Sequence, residues 1–273
     1  DMGAVNFSID IKLVKALVSV LPLDIFVETG TFEGDTVDLV RDLFREIYSI
    51  ELSKIHAENA SERFKGFPSI NILQGNSPDV LHGLIPKLRQ QSVLYFLDAH
   101  WCVAEHTAGQ VSQCPLMEEL REIGHLDQNS VIIIDDARLF LCTPPIPHDV
   151  TQWPVLSDVL NALESLAETH TLSIVNDCII YFPIAVRSIV DKYAREYGVD
   201  WLNLSRERAL LASERGDLVQ LLKDFKGIYD LVVGPDEDAK LCENPSWNVL
   251  IQGTKKSISD IKQELSDKKK ALS

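Results

Sequence analysis

The chain has 273 residues, of which 26 are basic and 41 acidic, so its formal net charge is −15. This length allows one large domain or one domain with an appendage, and an apolar content of 45% excludes collagen, a low-complexity polymer and a fully disordered chain. The acidic excess argues against nucleic acid as the main partner, because a phosphate backbone is bound by Lys and Arg.

The composition also bears on the compartment. No apolar run approaches the roughly 18 residues of a membrane span, and no charged-then-apolar leader is present, so we expect neither a membrane span nor secretion. The cysteines are scattered and form no C-x-x-C pair, which is typical of reduced thiols in a cytoplasmic protein. The start at Asp1 and the lysine-rich helical end suggest a piece of a longer protein.

The first 183 residues alternate short apolar strands with amphipathic helices. Strands are predicted at residues 24–28, 46–51, 69–74, 92–98, 130–135, 171–175 and 178–182, and helices with one buried face at 35–44, 115–126 and 155–168. This alternation predicts an α/β fold with a doubly wound, mostly parallel seven-stranded sheet. Only Asn176 and Asp177 separate the last two strands, which predicts a tight hairpin and therefore an antiparallel last strand.

After residue 183 the pattern becomes helical. Helices are predicted at 184–197, 205–213 and 217–225, with a strand or loop at 229–233. We therefore expect a domain at 1–183, a helical appendage at 184–253 and a helical tail at 254–273. The tail is either a solvated helix or the start of a coiled coil, through which the chain would form a homo-oligomer; its near-heptad apolar positions are Ile258, Ile261, Leu265 and Leu272.

The first strand runs into a glycine turn, E-T-G-T-F-E-G, and a helix opens at Asp35. Gly30 and Gly34 permit a tight turn and the close approach of a ligand, and the first N–H groups of the helix favour hydrogen-bond-accepting groups. The spacing departs from G-x-G-x-x-G, which disfavours NAD and favours S-adenosylmethionine, a ligand without a pyrophosphate. Glu28 is then expected to bind the amino end of the ligand, and Glu51 its ribose hydroxyls.

A second loop, Q-G-N-S-P-D, follows the third strand. Asn76 and Ser77 are expected to cover the adenine, the alternative being a plain turn that caps the next helix. The complete set of predicted cofactor-binding residues is Glu28, Thr29, Gly30, Thr31, Gly34, Asp35, Thr36, Glu51, Asn76, Ser77 and Asp98.

Carboxylates follow the fourth and fifth strands. The fourth ends in L-D-A-H-W, with Asp98 and His100, and the fifth in I-I-I-D-D-A-R, with Asp135 and Asp136. Parallel strand ends lie side by side, so these carboxylates would repel one another unless a cation neutralises them. A divalent metal, with Mg²⁺ favoured, is predicted at Asp98, Asp135 and Asp136, where it would lower the pKa of an acceptor hydroxyl.

Simpler readings of the same residues stay open. Asp136 can form an ion pair with Arg138. Asp98 and His100 are both candidates for the general base, and His100 is alternatively a structural or substrate-positioning residue. A zinc site at His100, Cys102, His106 and Cys114 is disfavoured by its irregular spacing.

Over about residues 20–183 these motifs resemble class I S-adenosylmethionine-dependent methyltransferases, whose sheet also closes with a reversed last strand. L-D-A-H-W followed by I-I-I-D-D is similar to the metal-dependent O-methyltransferases of the catechol and macrolide-sugar type. The resemblance implies methyl transfer to a hydroxyl of a small molecule or glycan. Three departures stand out: the third glycine of the cofactor loop is absent, Asn76 replaces a common Asp, and no lysine follows Asp98.

Three alternative functions remain at the level of sequence. One is a metal-independent methyltransferase with Asp98 or His100 as base, another is a nicotinamide oxidoreductase, and the third is a nucleotide-binding scaffold without catalysis.

Overall fold

The structure, a computed structural model, describes residues 8–101, 112–233, 256, 259–264 and 266–267. Contacts divide the chain into two compact units, Asp1–Gly198 and Val199–Ser273. None of the helices in the described ranges combines the length and the apolar character that a membrane span needs.

The first unit is built on a seven-stranded sheet with the order β3-β2-β1-β4-β5-β7-β6. Strands β1 to β5 are parallel, whereas β7 is antiparallel to both β5 and β6. The predicted fold class is therefore confirmed, including the closing hairpin at Asn176 and Asp177. The strands are β1 Ile25–Thr29, β2 Glu46–Glu51, β3 Ile70–Gln74, β4 Val93–Leu97, β5 Val131–Ile134, β6 His170–Val175 and β7 Cys178–Pro183.

Helices flank the sheet. They are α1 Ile11–Val18, α2 Asp35–Val40, α3 Lys54–Arg63, α4 Ser77–Leu88, α5 Leu116–Ile123, α6 Arg138–Leu141, α7 Leu156–Glu164 and α8 Arg187–Tyr197. Sequence patterning did not predict α3, because this helix buries only two small side chains, Ala57 and Ala60.

Two apolar clusters form the core of this unit. Val27, Tyr95 and Ile132 belong to one cluster, while the alternate residues of the same strands belong to the other. Strands β1 and β4 are buried along their whole length, as expected for parallel strands covered on both faces. The sheet therefore gives the carboxyl ends of its strands a rigid support.

Helix α8 lies in the first unit, although the sequence analysis assigned its residues to the appendage. Val190 and Tyr193 are buried in the second cluster, and the Tyr193 hydroxyl donates to a carboxylate oxygen of Asp10 at 2.9 Å. The boundary between the two compact units follows Gly198. The proposed division into three domains stays a prediction.

In the second unit, α9 runs without interruption from Trp201 to Val233. The predicted break between two helices and the strand or loop at 229–233 were wrong. Gly216 lies inside α9, where an isolated glycine costs only about 1 kcal/mol relative to alanine. In the tail, residues 256, 259–264 and 266–267 are helical, and Ile261 is buried. Ile258, Leu265 and Leu272 lie outside the described residues, so the coiled coil stays a prediction.

Candidate functional site

The carboxyl ends of β1 and β4 meet where the strand order reverses direction. Thr29 pairs with Leu97, and the backbone N–H of Asp98 donates to the carbonyl of Thr29 at 3.0 Å. Gly30 has φ +90°, and a Cβ on it would lie 2.8 Å from the carbonyl carbon of Asp98. The glycine is thus required by the close approach of two backbones as well as by the turn.

Glu51 holds the glycine turn against the end of β2. Its two carboxylate oxygens accept hydrogen bonds from the backbone N–H groups of Phe32 at 2.8 Å and Ser53 at 2.7 Å. Phe32 has φ +47°, a left-handed conformation that needs such support. A carboxylate has about four acceptor positions, so Glu51 retains capacity for two ligand hydroxyls.

Glu28 lies inside the turn rather than on its surface. It is 1% exposed, and the Ser49 hydroxyl donates to its carboxylate. Burial raises the pKa of Glu28 to about 8, although the hydrogen bonds from Ser49 and Thr36 oppose the increase. Ser49 also shares a 2.6 Å hydrogen bond with the hydroxyl of Thr31. The structure therefore joins Glu28, Thr31 and Thr36 in one buried network.

The second predicted loop contacts Glu119 of α5, a buried residue that the sequence analysis missed. Ser77 is buried and donates to Glu119 of α5, and Thr29 also hydrogen-bonds Glu119. Burial raises the pKa of Glu119 to about 7. Asn76 is half-buried and donates to Asp79 at 3.1 Å. The available signal was that Glu119 occupies the apolar face of α5, three residues after Leu116.

Asp35 behaves differently from the rest of the predicted set. Its side chain is largely exposed and forms a 2.7 Å ion pair with Arg63. Arg63 also donates to the carbonyl of Glu33 at 2.6 Å. Asp35 and Arg63 therefore tie the start of α2 to α3.

Asp98, His100 and Asp136 offer metal-ligating atoms that all lie within 4.8 Å of one another. Burial is the main cause that raises the pKa of Asp98 well above its usual range, and the charges of Asp135, Asp136 and Glu28 raise it further. A carboxyl group in these surroundings either keeps its proton or shares a cation.

Asp135 is not a member of this group. Its carboxylate accepts from the Ser8 hydroxyl at 2.6 Å and from the Cys178 thiol at 3.7 Å. Side chains alternate along a strand, so Asp135 points to the same face of the sheet as Val131 and Ile133, which belong to the cluster that contains Cys178. Asp136, the next residue, points to the opposite face. Asp135 therefore lies outside the group whose ligand atoms are within 4.8 Å of one another, although its charge contributes to the raised pKa of Asp98, and its role as a metal ligand stays a prediction.

His100 lies between two aromatic rings. Its ring centroid is 5.3 Å from that of Phe140 and 5.6 Å from that of Trp153. Both ring nitrogens are buried and have no hydrogen-bond partner among the described residues. Burial lowers the pKa of His100 to about 4, so the imidazole is neutral at pH 7 and a weak base.

The end of β5 is fixed by the closing hairpin. Asp136 has φ +56°, and its carboxylate accepts from the Arg138 guanidinium at 2.7 Å. The same guanidinium contacts the buried Asp177, whose carboxylate also accepts the backbone N–H of Arg138 at 2.8 Å. The predicted ion pair between Asp136 and Arg138 therefore exists, and it leaves one oxygen of Asp136 outside that bond.

Part of the alternative zinc set cannot be placed. Cys102 and His106 lie outside the described residues. Cys114 is buried, which raises the pKa of its thiol to about 12 and disfavours the thiolate that zinc requires.

The comparisons with known proteins identify distant similarities of fold. No family model matches the chain, and no curated protein matches it in sequence. A protein from Streptococcus mutans, assigned as a methyltransferase and solved with S-adenosylhomocysteine, is similar with 14% identity and a TM-score of 0.44, over 64% of this chain and 97% of its own. A protein from Clostridium thermocellum, assigned as an rRNA methylase, is similar with 9% identity and a TM-score of 0.43, over 64% of this chain and 97% of its own. A protein from Staphylococcus aureus, assigned as a caffeoyl-CoA O-methyltransferase, is similar with 15% identity and a TM-score of 0.40, over 63% of this chain and 83% of its own.

These similarities are too distant to assign an activity. The fold assignment rests instead on the strand order and directions of the chain itself.

Proposed function

We propose that the chain is an S-adenosylmethionine-dependent O-methyltransferase that binds its methyl donor across the ends of β1 and β4. One observation carries the proposal: Gly30 and Asp98 lie in contact at the point where the strand order reverses. In open α/β sheets, ligands bind in the crevice outside the carboxyl ends of the strands at this point.

The residues around this point suit an adenosyl ligand. Glu51 ends β2 next to the turn and has acceptor capacity for a pair of ribose hydroxyls. Asn76, half-buried at the end of β3, carries an amide suited to a purine edge. Glu28, Thr31 and Thr36 support the turn from within, and Asp35 does so through Arg63.

The reaction is the transfer of a methyl group to a hydroxyl. S-adenosylmethionine supplies the methyl as an electrophile: the bond from sulfur to methyl carbon breaks, the bond from that carbon to the acceptor oxygen forms, and S-adenosylhomocysteine leaves. The hydroxyl proton passes to solvent or to a nearby carboxylate. The chain contributes by holding donor and acceptor in line at the rigid strand ends.

Metal assistance is part of the proposal. A divalent cation would be held by Asp98 and Asp136, and its positive charge would lower the pKa of the acceptor hydroxyl. The raised pKa of Asp98 supports this role, because its carboxyl lies among other acidic groups that a cation would neutralise. Asp135 would not bind the cation directly, because its oxygens accept hydrogen bonds from Ser8 and Cys178. Its negative charge would still attract the cation to the site.

The proposed acceptor is a small molecule or glycan with a neutral hydroxyl. Acidic residues at the site and a net charge of −15 disfavour anionic acceptors, nucleic acids among them. Phe140 and Trp153 contact the ring of His100, and Trp101 contacts His148, which in turn contacts Trp153. A cytoplasmic location accompanies this proposal, on the basis of five scattered cysteines that form no C-x-x-C pair in the sequence.

Calorimetry with S-adenosylhomocysteine tests the proposed donor site. The full chain is expected to bind this product and not NAD, and Glu51→Gln is expected to weaken binding about tenfold or more, because a charge-assisted hydrogen bond to the ribose contributes roughly 1.5–3 kcal/mol. Glu58→Gln, a change at an exposed position of α3, is the matched control and should bind as the unchanged chain does. Binding of NAD alone would favour an oxidoreductase, and binding of neither ligand would remove the donor site.

A metal-independent methyltransferase is the alternative within the same class. The low pKa of His100 makes it a poor base at neutral pH, which leaves Asp98 for that role. Methyl transfer that survives treatment with EDTA would favour this alternative.

A further inference from the structure

We infer that Asp98, His100 and Asp136 form a site for a divalent transition-metal ion, with the His100 imidazole as a nitrogen ligand. No carboxylate from Asp135 takes part. The inference deepens the metal role in the proposed function, but the binding of the ion itself can be measured without any methyl donor or acceptor.

The spacing of the three side chains is close to that of a coordination shell. Two ligands that each lie about 2.1 Å from an ion are at most about 4.2 Å apart. The candidate atoms lie within 4.8 Å of one another, so shifts of a few tenths of an ångström bring them to bonding distance.

His100 provides the independent sign of a missing partner. Both ring nitrogens are buried, and neither has a hydrogen-bond partner in the described part of the chain. Leaving a buried polar atom unpaired costs roughly 1–3 kcal/mol, and such atoms are rare in native proteins. An ion between His100 and the two aspartates pairs one of these nitrogens.

The surroundings hold each ligand in place. Phe140 and Trp153 contact the imidazole ring, which restricts its rotation. Arg138 binds one oxygen of Asp136 at 2.7 Å, and Asp177 in turn contacts Arg138. Such contacts outside the coordination shell orient ligands for a metal.

The donor set selects the kind of ion. Mg²⁺ and Ca²⁺ take oxygen ligands almost exclusively. One imidazole with two carboxylates suits Mn²⁺, Fe²⁺, Co²⁺ or Zn²⁺ instead, so the site departs from the Mg²⁺ that the three aspartates predicted.

Titration of Mn²⁺ into the full chain, followed by electron paramagnetic resonance, tests the inference. We expect one Mn²⁺ per chain, bound more tightly than Mg²⁺ in competition. His100→Phe and Asp136→Asn should each raise the Kd about tenfold or more, since even residues outside the coordination shell cost roughly 10–100-fold when changed. His82→Phe, at an exposed position of α4, should leave the Kd within about threefold. Asp135→Asn removes a nearby charge but no ligand, so it should raise the Kd less than His100→Phe or Asp136→Asn does.

Three results would overturn the inference: no binding of Mn²⁺ to the full chain, unchanged binding by His100→Phe, or a loss with Asp135→Asn as large as that with His100→Phe. Circular dichroism checks that each variant folds. If His100→Phe does not fold, Asp136→Asn decides, because asparagine tolerates the φ of +56° at this position. Calorimetry with S-adenosylhomocysteine in metal-free buffer reports separately on the donor site.

Discussion

At the scale of single residues, neighbours in sequence have different roles because the strand ends direct them to different sides. Asp135 contacts Ser8 and Cys178, whereas Asp136 lies with Asp98 and His100. The sequence predicted which residue types form the candidate site and that they lie at the carboxyl ends of the strands. The side to which each carboxylate points depends on alternation along β5 and on the positive φ of Asp136, which residue types alone do not give.

Gly30→Ala is expected to destabilise the fold by about 2–4 kcal/mol, because the new Cβ would press on the Asp98 backbone at a φ of +90°. Gly83→Ala is the control: Gly83 lies within α4, and a Cβ there meets no atom within 4 Å. This second change should stabilise the fold by up to about 1 kcal/mol. Urea unfolding measures both, and equal midpoints for the two variants would contradict the close contact.

Glu119→Gln tests the buried carboxyl on α5. The folded pKa of Glu119 is about 7 and its usual value 4.5, so the folded state holds the proton more tightly than the unfolded state. The unchanged chain therefore loses stability as pH rises from 4.5 to 7, and Glu119→Gln lacks this loss. Relative to the unchanged chain, the variant should gain roughly 1–3 kcal/mol between pH 4.5 and pH 8.

Calorimetric unfolding across this pH range measures the difference. Glu118→Gln, the exposed neighbour on the same helix, should follow the pH profile of the unchanged chain. A profile for Glu119→Gln parallel to that of the unchanged chain would mean that Glu119 ionises normally in the folded state.

At the scale of elements, periodicity predicted the strands well and the helices less evenly. All seven predicted strands exist, because buried parallel strands are continuous apolar runs. Helices α1 and α3 were not predicted: α3 buries little apolar surface, whereas the apolar face of α1, with Leu13, Val14 and Leu17, was overlooked. Helix α9 was divided in two at a region where the chain stays helical. Segments with weak apolar periodicity give no sequence signal that separates helix from loop.

The closing hairpin has an energetic link to the candidate site. Asp177 accepts the backbone N–H of Arg138 and contacts its guanidinium, so Asp177→Ala should destabilise the fold by about 1–3 kcal/mol. Asp191→Ala in α8 removes an exposed pair with Arg187 and should change stability by less than about 0.5 kcal/mol. Urea unfolding compares the two, and a cost for Asp177→Ala no larger than that for Asp191→Ala would argue against the link.

At the scale of the whole molecule, both apolar clusters of the core lie within the first unit. Among the described residues their last member in the sequence is Ala194, which lies before the boundary after Gly198. The sequence predicted a sheet domain followed by helices and assigned α8 to the appendage, because α8 resembles the following helices in pattern; in the structure α8 packs on the core. A homo-oligomer through the C-terminal helix stays a prediction.

A chain that ends at Gly198 is therefore expected to fold cooperatively. Its urea midpoint should match that of the full chain, because every described residue of the two clusters lies before Gly198. Circular dichroism follows the transition, and a broad, non-cooperative transition would mean that the fold of the first unit depends on residues 199–273.

The most direct measurement is a crystal structure of the full chain grown with S-adenosylhomocysteine and Mn²⁺. We expect the ribose to lie against Glu51, the homocysteine end near Gly30, and the ion between Asp98, His100 and Asp136. A ligand bound elsewhere, or well-diffracting crystals with this edge of the sheet empty at saturating ligand, would contradict this expectation.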